Sequence, residues 1–393
     1  MSFRVGRDKI GLSRARRSRV ACCLTLLTTV CLGLMMGCSV DTATPTGRAA
    51  TPVSESPAPG AQAPDLAVPP VRDLSTTEAL GGFASLADSA VLADGRTIHI
   101  TCRGQGSPVV ILTAGAGDWG LSWQKVLPVL ADRTRVCAWD RAGFGLSDPS
   151  PLPQTVVNTA QDLAQALESA RIDPPYVVVG HSFGAFESLL LADRPDSGVV
   201  AMVLVDPAIP DSWGRRERVA SAVNLHAHAE SERIIAFLNG CATILAGGAV
   251  SPGTIDPNAC SFPPPPMEWP EDLTTALRNK VTASTFETMA SFFSSNEESG
   301  RLMVDPARHF GRMPLIVLLA EASFVPPPDL TPAAREQFPA FLQDWRAAQE
   351  EYANLSTRGV HRVIPGTAHY IQNDSPDAVI DAITEVLNQS RIE

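Results

Sequence analysis

The sequence lacks the motifs that hold cofactors. It contains no nucleotide-binding or metal-binding pattern, and none of its eight cysteines lies in a Cys-x-x-Cys pair. We therefore expect no cofactor, no catalytic or structural metal and no thiol redox role. A basic stripe is also missing, and the formal net charge is −11. Because an acidic surface repels phosphate backbones, we expect no nucleic-acid partner.

What the chain has in abundance is apolar material. Hydrophobic residues make up 45% of its 393 residues and charged residues only 19%. This is enough for a full-sized core in one large domain or two small ones. Residues 1–37 hold seven basic residues and one acid, so the chain without them has a formal charge of −17. The predicted folded domain is therefore strongly acidic.

The N-terminal residues predict export. A basic segment, residues 1–19, precedes an uncharged apolar run over residues 20–36. This order is typical of a secretory signal peptide, here residues 1–38, with a transmembrane anchor as the alternative. Its end, Met-Met-Gly-Cys38, resembles the lipobox of bacterial lipoproteins. The resemblance implies lipidation of Cys38 and membrane contact only through that lipid or the leader; secretion without an anchor is the alternative.

Two further features agree with export. Residues 39–71 are rich in Pro, Thr, Ala and Ser, a composition that predicts a disordered tether. Beyond it lie four cysteines, an even number, as disulfides require. Three pairings are open. We favour Cys102 with Cys137, both on predicted strands, and Cys241 with Cys260, both in one predicted insertion.

Short continuous apolar runs recur along the chain after the tether. Such runs suit strands that are buried on both faces of a sheet. The predicted strands span residues 96–102, 109–112, 135–139, 176–179, 201–205, 315–319 and 360–364. Helical patterns span residues 156–170, 183–192 and 376–388. The alternation predicts an α/β fold with a mostly parallel sheet flanked by helices.

The interval between the fifth and sixth predicted strands is too long for a simple crossover. It contains amphipathic stretches near residues 215–239 and 273–295, separated by the prolines at 263–266. We expect a helical cap insertion at about residues 208–312, placed over the carboxyl edge of the sheet. The whole folded domain is predicted to span residues 72–393.

The main chemical signal is a serine between a strand and a helix. The pattern reads Gly180-His181-Ser182-Phe183-Gly184 and follows four apolar strand residues. A sharp strand-to-helix turn needs small flanking residues, since Cβ atoms would collide there. The turn projects the serine hydroxyl above the sheet, near the positive end of the helix. The alternative interpretation is a glycine-rich turn with a capping serine.

At this point the chain resembles the α/β-hydrolase superfamily over about residues 96–388. Residues 139–147, Trp-Asp-Arg-Ala-Gly-Phe-Gly-Leu-Ser, are similar to that family's loop after the preceding core strand. Residues 366–376 resemble its histidine loop. The resemblance implies Ser182 as the nucleophile and His369 as the general base.

The acid of the expected triad has two candidates. The family usually supplies it after the strand before the last one, and Ser323 stands roughly at that place. Pancreatic-type lipases supply it one strand earlier, and Leu-Val-Asp206-Pro-Ala resembles their segment. We therefore place Asp206 first and Glu321 second. A turn-forming Asp-Pro is the alternative interpretation of Asp206.

Backbone N–H groups are expected to stabilise the negative oxygen that forms during acyl transfer. Phe183, directly after the nucleophile, is one predicted donor of this oxyanion hole. By resemblance to the family's His-Gly-x pattern, Ala116 is the other. His226 and His228 have a spacing that metal ligands also show. We expect them to sit in the cap without nearby carboxylate support, so we predict a solvated helix face for them.

These observations favour a serine hydrolase acting on a carboxylic ester or related acyl bond through an acyl-enzyme. Its partner would be a small acyl substrate; the sequence says nothing about oligomeric state. An acyltransferase, or a cofactor-free peroxidase-like member of the same fold, could use the same residues. A third hypothesis is a surface-tethered binding protein on an inactive hydrolase scaffold. The presence of both Ser182 and His369 ranks it last.

Overall fold

The computed structural model describes Leu80, Phe83 and residues 89–250, 255–261 and 269–391. The predicted signal peptide, Cys38 and the predicted tether lie outside the described residues. In the ranges given above, no helix combines the length and the apolar character needed to cross a membrane.

Strands and helices alternate along most of the described chain. The strands are β1 (Ala90–Val91), β2 (Thr97–Ile98), β3 (Ile100–Arg103), β4 (Val109–Thr113), β5 (Val136–Trp139), β6 (Tyr176–His181), β7 (Val199–Val205), β8 (Leu315–Ala322) and β9 (Gly359–Ala368). The α-helices are α1 (Leu127–Leu130), α2 (Val156–Ser169), α3 (Gly184–Ala192), α4 (Ser212–Val219), α5 (Ser221–Leu245), α6 (Glu271–Asn279), α7 (Ala283–Ser294), α8 (Asn296–Leu302), α9 (Pro332–Glu351), α10 (Ile371–Asp374) and α11 (Pro376–Ser390).

Seven strands form one sheet in the order β3-β5-β4-β6-β7-β8-β9. Strand β3 is antiparallel to β5, and all other neighbours are parallel. The predicted mostly parallel sheet is thus confirmed. The strand order reverses at β4, which has β5 on one side and β6 on the other. Loops that leave β4 and β6 therefore diverge, and such a switch point forms a crevice at the carboxyl edge.

Helices cover both faces of the sheet. Side chains alternate along each strand, so Val178 and Leu204 pack in one apolar cluster with α2, α3 and α9. Val179 and Val205 pack in a second cluster with α1 and α11 on the opposite face. Burial on both faces explains why the strands appear in the sequence as unbroken apolar runs.

Both favoured disulfides are present. Cys102 and Cys137 stand directly opposite each other on antiparallel β3 and β5, with Cα atoms 4.1 Å apart. Cys241, near the end of α5, joins Cys260, and both are buried with Phe286 in a separate apolar cluster. The second disulfide therefore links two segments of the region between β7 and β8.

Three predicted elements are divided. The strand expected at 96–102 breaks at His99, whose backbone N–H donates to Ser147 Oγ (2.9 Å) instead of pairing with a strand. The first amphipathic stretch forms α4 and α5, which meet at Ala220 with φ −155° and ψ 60°. The second forms α6 and α7; Thr282 begins α7, and its side chain accepts from the Thr285 N–H. Helices α4 to α8 thus occupy the interval between β7 and β8.

Candidate active site

Ser182 occupies a strained turn between β6 and α3. Its φ is +51°, a left-handed conformation that costs free energy for a residue with a Cβ atom. The flanking glycines are required by close contacts. A Cβ on Gly180 would lie 2.6 Å from the Ala185 backbone, and one on Gly184 would lie 2.4 Å from the Thr113 carbonyl oxygen. The pattern seen in the sequence therefore has a direct steric cause.

His369 lies directly after β9 and contacts Ser182. Its Nε2 is 3.0 Å from Ser182 Oγ, and its Nδ1 is 2.6 Å from Asp206 Oδ2. A carboxylate can only accept, so Nδ1 carries the proton and Nε2 presents its lone pair to the hydroxyl. An imidazole held in this tautomer can accept the serine proton. The structure thus brings together the three residues placed first by sequence.

Asp206 follows β7 and is fully buried. Its φ is +40°, so the backbone turns sharply where the strand ends. Oδ1 accepts from the Ala320 N–H (3.1 Å) and from Ser323 Oγ (2.9 Å), while Oδ2 faces His369. These contacts supply the hydrogen bonds that a buried carboxylate needs. Ser323, at the position where the family usually has its acid, instead donates to the acid from the neighbouring strand.

Glu321, the second candidate acid, has a different place. It lies in the exposed last part of β8, and its Oε2 accepts from the Gly366 N–H (2.8 Å) in β9. Its backbone carbonyl accepts from Arg346. The side chain therefore joins the ends of two strands at the surface and is not placed beside the histidine.

The loop after β4 passes close to Ser182. A Cβ on Gly115 would lie 2.9 Å from His181 Nδ1 and 3.4 Å from Ser182 Cβ. Ala116 follows on this loop, and Phe183 precedes the first residue of α3. Across the described residues, neither the Ala116 N–H nor the Phe183 N–H donates to another backbone oxygen. The two predicted donors are therefore adjacent in sequence to residues at the turn: Phe183 follows Ser182 itself, and Ala116 follows Gly115.

His181 is a supporting residue that the sequence did not indicate. It is fully buried, and its Nε2 donates to the backbone carbonyl of His369 (3.0 Å). Its ring packs against the rings of His369 and Tyr370, with centroids 4.8 and 4.9 Å apart. Burial holds the pKa of His181 well below its ordinary value of 6.5, so the ring is neutral at neutral pH. It therefore fixes the backbone of His369 without adding charge.

Asp118 is a second buried carboxyl close to the site. Burial raises its pKa from 3.8 to about 6, although a hydrogen bond with the Tyr370 hydroxyl and the charges of Arg141 and His369 oppose that rise. Its Oδ2 has no hydrogen-bond partner in the part of the chain described. No sequence pattern indicates this group, because the loop after β4 and Tyr370 meet only in the folded chain.

Aromatic side chains surround the candidate site. Phe324, in the loop after β8, stacks on His369 at a centroid distance of 5.5 Å. Phe292, on α7, packs edge-on against Phe183 at 4.7 Å. A Cβ on Gly117 would lie 3.5 Å from the ring of Phe293. Helix α7, between β7 and β8, therefore lies against both the loop after β4 and the residue that precedes α3.

The expectation that His226 has no carboxylate nearby is wrong. Ligand atoms of His226, Glu230 and Asp329 lie within 4.8 Å of one another. Glu230 already pairs with Arg233, and Asp329 is exposed. Because Arg233 supplies positive charge to this cluster, we assign no metal ion there. His228 is not part of this cluster; its ring packs against that of Trp213 with centroids 4.3 Å apart and a tilt of 41°.

Known proteins are similar to this chain over its central part. Residues 107–225 match the family model described as "alpha/beta hydrolase fold". "Uncharacterized protein YqjL" of Bacillus subtilis is 32% identical over 119 residues, covering 30% of this chain and 47% of the relative. "Putative carbamate hydrolase RutD" of Enterobacter cloacae is 41% identical over 104 residues, covering 26% of this chain and 38% of that relative. The chain thus spans less than half the length of these two relatives.

Solved structures match over most of the chain, and one of them serves as an example. It is a "putative lipase (lip1)" from Acinetobacter baumannii AYE, with a TM-score of 0.53 and 16% sequence identity. The match covers 81% of this chain and 98% of that one. At this identity the likeness is one of fold, and it extends well beyond the residues that match the family model.

Proposed function

We propose that this chain, which has the α/β-hydrolase fold, is a serine hydrolase that cleaves a carboxylic ester or related acyl bond through an acyl-enzyme. The observation that carries the proposal is the chain of contacts from Ser182 Oγ to His369 Nε2 (3.0 Å) and from His369 Nδ1 to Asp206 (2.6 Å). The name of the RutD relative, a carbamate hydrolase, agrees with hydrolysis at an acyl carbon.

The geometry supports a two-step reaction. Ser182 Oγ attacks the acyl carbon while His369 Nε2 takes its proton, and the carbonyl oxygen becomes an oxyanion facing the N–H groups of Ala116 and Phe183. Asp206 stabilises the imidazolium that forms. The imidazolium then gives the proton to the leaving group as the bond to it breaks. Water attacks the acyl-enzyme in the same way, returning the proton to Ser182 and releasing the acid.

The surroundings of Ser182 favour an apolar substrate group. The half-buried ring of Phe293 lies close to Gly117 in the loop after β4, and that of Phe324 stacks on His369. Burying an apolar acyl or alkyl group among these rings is favourable by about 25 cal/mol per Å² removed from water. We therefore expect neutral esters to be better substrates than esters with a charged acyl group.

Export remains part of the proposal. The two disulfides of the described residues are typical of proteins that fold in an oxidising compartment. Together with the basic and apolar N-terminal segments, they favour an exported enzyme held at the membrane through Cys38, or a secreted one.

A fluorophosphonate probe tests the function directly. The purified protein should form one covalent adduct, and peptide mapping should place it on Ser182. Ser182→Ala, which removes only the hydroxyl, is the control and should give neither adduct nor hydrolysis of p-nitrophenyl esters. A folded protein that is unlabelled, or labelled on another residue, would contradict the proposal. Adding a competing alcohol during turnover would reveal an acyltransferase by the formation of a new ester.

A further inference from the structure

Arg141 forms a buried ion pair whose place in the fold is not explained by stability. Its side chain is 2% exposed and that of Glu187 is fully buried. Nε and Nη2 donate to the two oxygens of Glu187 at 2.5 and 2.6 Å. Removing both charges from water costs several kcal/mol each, so a buried pair is often no more stable than apolar residues of the same size. Stability alone therefore does not explain this ion pair.

The remaining donors of Arg141 reach the loop after β4. Nη1 donates to the Gly115 carbonyl (2.8 Å) and Nη2 to the Ala114 carbonyl (2.5 Å). Glu187 lies on α3, the helix that begins directly after Ser182 and Phe183. One guanidinium thus joins the two segments that carry the predicted oxyanion donors.

From these contacts we propose that Arg141, neutralised by Glu187, is a positioning residue that orients and strengthens the Ala116 N–H as an oxyanion donor. This inference rests on the proposed serine hydrolase function. It assigns a role to the arginine of the Trp-Asp-Arg loop that the triad chemistry does not use.

Peptide geometry supplies the orientation. The carbonyl of Gly115 and the N–H of Ala116 belong to one planar peptide unit, and in a trans peptide they point in opposite directions. Fixing the carbonyl oxygen from one side therefore fixes the N–H toward the other side. Arg141 holds that oxygen, which also accepts from the Asp118 N–H (3.3 Å), so it helps to hold the direction of the Ala116 N–H. The adjacent Ala114 contact attaches the loop to Arg141 at a second point.

The charge of Arg141 strengthens the Ala116 N–H as a hydrogen-bond donor. A hydrogen bond from a guanidinium to a carbonyl is stronger than one from a neutral donor, and it polarises the peptide so that its N–H becomes a better donor. Glu187 cancels the net charge of Arg141, so the site does not hold an unpaired buried cation. The planar fork is essential because four contacts with four different oxygens use its fixed geometry, which a lysine ammonium cannot reproduce.

The test uses two variants and a matched control. Arg141→Met with Glu187→Met removes the pair without leaving an unpaired charge, and Arg141→Lys keeps the charge but loses the fork. The control is Arg96→Met with Asp162→Met. It removes another nearly buried ion pair, in which the Arg96 guanidinium donates to the Asp162 carboxylate at 2.6 and 2.8 Å, and which does not contact the loop after β4. Ester hydrolysis is measured together with the affinity for a trifluoromethyl ketone, which adds to serine to give a tetrahedral oxyanion.

In the Arg141→Met, Glu187→Met double variant we expect kcat to fall about 10²-fold with KM nearly unchanged. This is the loss of kcat expected when one oxyanion donor is removed. Affinity for the trifluoromethyl ketone should fall by a similar factor, and Arg141→Lys should recover only part of either loss. The control pair should leave both at the wild-type level. A purely structural role would not produce this parallel loss of kcat and of oxyanion affinity.

Three results would overturn the inference. The first is a folded Arg141→Met, Glu187→Met double variant with wild-type kcat and ketone affinity. The second is a rise in KM at constant kcat. The third is unfolding of both Arg141 variants where the control pair remains folded, because Arg141 would then serve the fold and not the oxyanion. Failure of the proposed function is recognised separately, because the wild-type protein itself would then neither hydrolyse the ester nor form the Ser182 adduct.

Discussion

Replacing Asp206 by asparagine removes the carboxylate charge but keeps the size and shape of the side chain. The variant therefore tests the contact with His369 separately from the structural role of Asp206. The side chain keeps its shape, and its amide oxygen can still accept from Ala320 N and Ser323 Oγ. Asparagine also tolerates the positive φ of this position. The amide nitrogen would then face His369 Nδ1 and donate to it. This contact reverses the tautomer, so Nε2 carries the proton and can no longer accept one from Ser182.

The expected loss follows from that reversal. The wrong tautomer costs about 10⁴-fold in kcat where the same change has been made in a Ser-His-Asp enzyme, which corresponds to about 5.5 kcal/mol of barrier. The free energy of unfolding should change by only about 1 kcal/mol, since the replacement keeps two of the three contacts. Steady-state hydrolysis of a p-nitrophenyl ester and urea unfolding of the same preparation measure both quantities.

Glu321→Gln is the matched control. It also removes one carboxylate charge near β9, but its side-chain oxygen can still accept from Gly366 N, so kcat should stay within about twofold of wild type, as expected for a surface change. A value of kcat for Asp206→Asn above one-tenth of wild type would refute the reasoning. Equal losses in the two variants would show that charge in this region matters and the contact with His369 does not.

Two further predictions concern stability. Burial raises the pKa of Asp118 from 3.8 to about 6, so the folded protein binds this proton more tightly than the unfolded chain does. Ionising Asp118 in the folded state therefore lowers the free energy of unfolding. This loss is absent below about pH 4 and complete above about pH 6. Asp118→Asn should therefore raise the free energy of unfolding by about 3 kcal/mol at pH 7.5 and hardly at pH 4; equal effects at both would contradict this. The double variant Cys241→Ser, Cys260→Ser removes a disulfide between residues 19 apart in sequence. It should lower the free energy of unfolding by about 3 kcal/mol. A change below about 1 kcal/mol in urea unfolding would exclude this disulfide as a major restraint.

The fold was predictable where burial determines the residue type. Strands covered on both faces need apolar side chains at every position, as in Val199–Val205, so the sequence reveals them as continuous runs. The break at His99 was not predictable in this way. The alternation of apolar and polar residues continues through it, and its cause is a long-range contact: Asp140 and Ser147 bond to the ring and the backbone of His99.

The turn at Ser182 was predictable because it imposes local steric demands on its neighbours. The choice between Asp206 and Glu321 was not settled by sequence, since it depends on the direction of each side chain. Neighbouring residues in a strand point to opposite faces. The backbone N–H of Ala320 bonds to Asp206, whereas Glu321 projects to the surface beside Gly366. No local pattern reports which of the two will meet a histidine far along the chain.

The charges around Ser182 form a consistent set. In the proposed reaction, attack on a neutral ester creates an imidazolium at His369 and an oxyanion at the former carbonyl oxygen. The buried carboxyl of Asp206, 2.6 Å from His369 Nδ1, would stabilise the imidazolium, and the charge of Asp118 also interacts with His369. A free buried arginine near the loop would stabilise the oxyanion, but it would also bind any anion that entered the site. Arg141 is instead neutralised by Glu187 and holds the peptides of the loop. Stabilisation of the oxyanion then comes from oriented peptide dipoles, which act without reorganisation in a water-poor environment.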